Sequence, residues 1–183
     1  MKIITNKKIL RIETEGTLDV RPLFNADMVD RTVQEFLGSG EPLFPLELFP
    51  ENRRDNVRVF LDPFRTITHL EGGGYIQRDF KRGNMTDYAS VPGKLRSLVD
   101  NDDPRILLPA LNHDGDYLTH LVDFKTANRL FYRSIRICGG GPYFATKAFL
   151  PVASPIGKVN YNRNKNIRLD VHQFVDIIAR GQL

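Results

Sequence analysis

With one cysteine in 183 residues, Cys138, this chain can form no internal disulfide framework and no cysteine-rich zinc site. Long hydrophobic runs are missing too. Stretches such as residues 106–111 (ILLPAL) are far too short to span a bilayer, which takes about 20 apolar residues. The opening MKIITNKK lacks the apolar core of a signal peptide, so Sec export is not expected and folding in a reducing cytoplasm is. A content of 41% hydrophobic and 26% charged residues fits an ordinary globular protein, and the length suits one domain with its own core.

Acid is absent from one long stretch. Between Phe124 and Leu169 there are nine lysines or arginines and no aspartate or glutamate, on a chain whose net charge is +4. Such a region carries a positive field that favours anionic partners, whether nucleic acid, phospholipid, teichoic acid or an acidic protein face. The plainer alternative is a solvated basic surface balanced in space by acids from elsewhere. Lys125, Arg129, Arg133 and Arg136 recur at i, i+4, i+8 and i+11 and form the candidate anion-binding stripe. Aromatic interleaving is sparse and no base-reading motif is present, so nucleic-acid binding ranks last among the functional readings.

The pattern predicts an α+β fold, with N-terminal antiparallel strands packed against a C-terminal set of helices. Residues 2–5 and 8–14 alternate apolar and polar around Asn6-Lys7, which predicts a hairpin. Asn25 is placed to cap a helix over 26–37, and the proline-rich EPLFPLELFP (41–50) must be extended, with packing on the chain's own core expected. Strands are predicted over 56–61, 64–70 and 75–80, separated by Asp62-Pro63 and Gly72-Gly73-Gly74. Helices follow over 93–99, 104–118, 126–138 and 143–150. The first long one is announced by Asp103 as N-cap and Pro104 at the first helical position. Asp170 and Gln173 resemble a capping box for a last helix over 171–179. One domain results, with residues 1–55 as an extension bearing the hairpin and one helix, 56–150 as the core, and 151–183 as a loop and helix.

The densest chemistry is ALNHDGDYL (110–118). On a helix His113 shares a face with Tyr117 and with Asp116, and a longer helix would add His120. Histidine is the general base best suited to neutral pH when a carboxylate orients it; Asp87, Asp123 and Asn128 are the candidates for that role. Asp114 projects about 100° away around the helix, so it needs another partner. It is the candidate metal ligand, for calcium, with carbonyls of Gly72–Gly74 as further hard oxygens. The alternative to chemistry is architecture, in which the His-Asp pair satisfies the polar groups of the loop Thr86-Asp87-Tyr88-Ala89-Ser90-Val91-Pro92. Zinc fits poorly, because His69, His120 and His172 have no supporting spacing.

That loop, together with the downstream His113-Asp114 and Tyr117 and then Ala127-Asn128 with Phe131, resembles a phage and prophage family of unknown function. The family has a TDxASxP signature, a later HDxxY, and an Ala-Asp-x-x-Phe helix. The likeness covers roughly residues 60–150, and Asn128 stands where the family pattern has an acid. It implies a bacteriophage accessory protein, foremost a non-catalytic virion component of tail or baseplate. Such a protein would be made in the host cytoplasm, built into the particle, and partnered by other phage structural proteins. A more distant likeness is to the secreted phospholipase A2 enzymes, which also carry His-Asp-x-x-Tyr on a helix. It implies the alternative of a cell-envelope hydrolase, phospholipase-like or peptidoglycan-directed, with His113 activating water, Asp114 binding calcium, and the basic stripe drawing the protein to an anionic envelope. The disulfides of those enzymes are absent here.

Overall fold

The computed structural model describes residues 2–22, 43–44, 57–87, 103–164, 170–181 and 183. The predicted helices over 26–37 and 93–99 lie outside the described residues, as do residues 88–92 of the Thr86–Pro92 loop. Among the described residues, seven strands form two antiparallel sheets: β1 (Ile9–Glu15), β2 (Val20–Pro22), β3 (Arg58–Phe60), β4 (Phe64–Leu70), β5 (Tyr75–Phe80), β6 (Met85–Thr86) and β7 (Val175–Arg180). The larger sheet runs β1-β4-β5-β7 and the smaller β2-β3-β6. Four described helices, α1 (Pro104–Thr119), α2 (Phe124–Ile137), α3 (Pro142–Ala153) and α4 (Pro155–Asn164), complete an α+β fold.

Alternation built the central strands as expected. In β4, Phe64, Thr66, Thr68 and Leu70 point inward; in β5, Ile76, Arg78 and Phe80 do. The break at Gly72 and Gly73 works because both adopt φ +85°, a region that favours glycine, and so close the β4–β5 turn. Helix α1 lies on the inner face. Leu111 joins Phe60, Phe64, Phe80 and Val175 in one apolar cluster, in which Phe60 stacks on Phe80 with ring centroids 5.4 Å apart. Gly115 permits this approach, since a Cβ there would sit 3.1 Å from the Phe80 ring. A second cluster joins α1, α2 and α3 through Ile106, Ala110, Phe131, Ile135, Ala145 and Ala148. Asp103 caps α1 by accepting from the Arg105 N–H at 2.9 Å. Of the proline-rich segment, Leu43 and Phe44 are described. Phe44 packs into the core as expected, edge-on to Phe174 at 5.2 Å.

Three expectations are corrected. Residues 2–5 do not fold back as a hairpin. Ile3 instead bridges Val122 in parallel, accepting from the Asp123 N–H and donating to the Leu121 carbonyl. Fully buried Val122 offers Ile3 an apolar neighbour, and arginines of α2 take the carbonyls that follow it. The last element is not a helix over 171–179. Asp170 caps only a single 3-10 turn, Val171–Gln173, after which β7 joins the sheet beside β5. Residues 151–153 and 155–164 are helical where a loop was expected. Pro155 opens α4, and Gly157 allows the elbow with α3, because a Cβ there would lie 1.9 Å from the Val152 carbonyl oxygen.

Candidate functional site

Helix α1 carries polar side chains on three of its faces, buried on two and half-buried on the third. Toward the sheet, Asn112 Oδ1 accepts from Thr66 Oγ1 at 2.6 Å. One turn on, Asp116 takes a two-pronged bond from Arg78, with Nε to Oδ1 at 2.7 Å and the second guanidinium nitrogen to Oδ2 at 2.8 Å. Arg78 also donates to Thr68 Oγ1 at 3.0 Å, and both members of the ion pair are 1% exposed. Burial pushes the Asp116 carboxyl up, and the guanidinium opposes it.

The second face meets α2 and α3. His113 Nε2 lies 3.0 Å from Asn128 Oδ1, and the Tyr117 hydroxyl donates to the same oxygen at 2.9 Å. That hydroxyl is also 3.1 Å from the Val152 carbonyl, while Asn128 Nδ2 donates to the Phe124 carbonyl at 2.9 Å. An amide oxygen that accepts from Tyr117 implies the His113 tautomer carrying its proton on Nε2. The imidazole is packed between Tyr117 and Phe131, with ring centroids 4.0 and 4.8 Å away, and is 4% exposed. Burial pulls its pKa from 6.5 down to about 4; the Asn128 bond works against this and the Arg78 charge adds to it. Burial likewise raises the Tyr117 hydroxyl. The centre is neutral at physiological pH.

On the third face Asp114 Oδ2 accepts from Thr86 Oγ1 on β6 at 2.6 Å, and Asp87 is buried next to that threonine in the chain. The loop thus does reach the His-Asp pair, through Asp114. The expected sharing of a helix face holds for His113 with Tyr117 only, since Asp116 turns to the sheet. His120 does not join them: α1 stops at Thr119, and His120 caps it at φ 54° with its ring 4.3 Å from Tyr161.

Of the three candidates to orient His113, the structure brings Asn128 to it. Asp123 caps α2 instead, accepting from the Lys125 and Thr126 N–H groups. Asp114 contacts the smaller sheet, whereas the Gly72–Gly74 turn meets Lys7 and Gly181. Among the described residues no group of three or more His, Cys, Asp or Glu side chains is placed to hold a metal ion. Arg78 and Asp116 were not singled out from sequence as a site. The signal was there: a cation at an inward position of an alternating strand demands a buried anion.

The basic stripe of α2 is largely occupied. Arg129 donates to the Thr5 carbonyl at 3.1 Å, Arg133 to those of Asn6 and Lys7, and Arg136 to that of Gly140. Lys125, Arg129 and Lys7 line a groove of about 590 Å³, and Asp123 and Glu71 share it, so its charge is mixed. No helix among the described residues is long and apolar enough to cross a membrane.

The chain is an α+β protein organised around a polar helix sealed between a sheet and its neighbouring helices. Residues 68–152, from β4 to α3, match the model of a family described as a protein of unknown function (DUF1353). The matched span contains Arg78, Thr86, Asp87, the whole of α1, and Asn128. No curated protein and no solved structure matches the chain.

Proposed function

We propose that this chain is a non-catalytic assembly component, a phage accessory protein of tail or baseplate, in which His113 is an architectural residue. One observation carries the second half: His113 is buried, neutral, and bonded to an amide instead of a carboxylate. A general base near neutral pH needs a proton affinity in that range and reach to a substrate, and this imidazole has neither. The envelope-hydrolase reading would require the helix pair to open. The phage assignment rests on the TDxASxP and HDxxY resemblance.

The test has two arms. In purified particles made from a genome carrying the gene, the chain should be found as a stoichiometric component, and its absence sinks the virion assignment. In the second arm, wild-type protein and His113→Asn are incubated with anionic phospholipid vesicles and with peptidoglycan. We expect no turnover by either; hydrolysis by the wild type that is lost in the variant would return His113 to catalysis. Calcium should leave the melting temperature unchanged, because Asp114 is already held by Thr86. A rise with added calcium would instead make Asp114 a cation ligand.

A further inference from the structure

We propose that the outer edge of β7 is a homodimer interface, at which a second copy of this chain extends the four-stranded sheet by antiparallel pairing centred on Ile178. The inference is independent of the role of His113.

β7 ends the sheet order, and among the described residues no strand pairs with its outer edge. The edge strand at the other end, β1, is blunted by a register break between Ile9 and Arg11 and by the charges of Arg11, Glu13 and Glu15. β7 has neither device at its centre: its register against β5 runs unbroken from Val175 to Arg180. Neither of the described residues beyond Arg180 covers it. Gly181, at φ +83°, turns the backbone toward Gly73 and Gly74, and Leu183 lies in the groove beside Ile4 and Lys7.

The backbone fixes which groups are on offer. The Lys81 N–H donates to the Phe174 carbonyl, so residues 174, 176, 178 and 180 direct their polar groups at β5. In an antiparallel ladder the alternate residues Val175, Ile177 and Ala179 then direct theirs outward. An unpaired row of this kind is a template for another strand.

The side chains choose the partner and the register. Asp176, Ile178 and Arg180 share the solvent face, where Ile178 is 38% exposed. A two-fold axis at Ile178 sets Asp176 opposite the partner's Arg180 on both sides, flanking an Ile178 pair. The outward groups of Ile177 then meet those of the partner's Ala179. Axes at residue 177 or 179 would also match the hydrogen bonds, but they set Ile178 against Asp176 or Arg180. Only the axis at Ile178 is charge-complementary. The Asp176 carboxylate already holds Lys81 at 2.7 Å and His172 at 3.0 Å, yet it is 38% exposed and can take another cation.

The experiment is sedimentation equilibrium on the full chain from about 1 to 100 μM, with circular dichroism to verify that each variant is folded. We expect a wild-type dimer. Ile178→Lys should weaken it on the order of tenfold or more. Ala179→Pro should abolish it while leaving the fold intact, since the lost N–H faces outward. Asp176→Arg and Arg180→Asp should each dimerise poorly alone and recover when mixed, because the mixed pair restores both ion pairs. A wild type that stays monomeric throughout, or a dimer indifferent to both Ile178→Lys and Ala179→Pro, overturns the proposal.

Discussion

His113 shows how burial changes what a histidine does. Its folded pKa of about 4 lies below the unfolded value of 6.5, so as pH falls through that window the unfolded chain takes up a proton that the folded one refuses. Stability from this group is therefore fully present above 6.5 and lost on acidification toward 4, by about 3 kcal/mol in all. Urea midpoints measured from pH 7 to 4 should fall steeply for the wild type and less steeply for His113→Gln. Asn128→Asp probes the same centre from the other side. A carboxylate there would stabilise the imidazolium and raise the His113 pKa, read by NMR titration of the ring, while forfeiting the bond from Nδ2 to the Phe124 carbonyl. An unmoved pKa would mean that burial alone sets it. Breaking the Arg78–Asp116 pair should cost more: Asp116→Ala leaves a buried guanidinium unpaired, a loss of about 3–5 kcal/mol by chemical denaturation, whereas Arg78→Met with Asp116→Leu should recover much of it.

Among the elements, two arginines of α2, Arg129 and Arg133, act as a clasp that ties residues 5–7 to the helix. Arg133→Ala should raise amide exchange at Ile3 and Asp123, whose bonds depend on that segment staying in place, while Lys125→Ala should not. The central strands were legible in the sequence because FRTITHL and YIQRDF alternate cleanly and turn residues bound them. The close of the chain was not. Val171, Phe174, Val175 and Ile178 fall at 0, 3, 4 and 7, a helical spacing, while Val175, Ile177 and Ala179 fall at every second residue. The choice between those periods is made by β5, nearly a hundred residues earlier, which offers a free edge and an inner face that buries Val175 and Ile177. The hairpin expected over residues 2–14 failed similarly, since its competitor, Val122, is remote in sequence. The site was half legible. HDxxY pointed to the right helix, but Arg78 as the partner of Asp116 needed the register of β5 against α1.

At the scale of the molecule, positive charge has been drawn inward from what sequence suggests. The acid-free stretch reads as an open cationic surface, yet three of its guanidiniums cap backbone carbonyls, and the groove at its head contains carboxylates. Binding to duplex DNA is therefore expected to be weak and to respond little to salt. A steep fall of the binding constant between about 50 and 200 mM salt would restore the nucleic-acid reading.

The return of β7 to β5 also sets an order of events during synthesis. Phe80 and Arg78 leave the ribosome long before Val175, so the inner sheet cannot complete its edge until Val175 to Arg180 have emerged. Until then the strand bearing Arg78 has an open side, and the α1 carboxylate it needs is made only some forty residues later. A nascent chain stopped after Gln173 should thus stay protease-sensitive and exposed to edge pairing with other chains, whereas one extended past Arg180 should become resistant. β7 thus acts as a lock on a sheet whose other strands were made long before it.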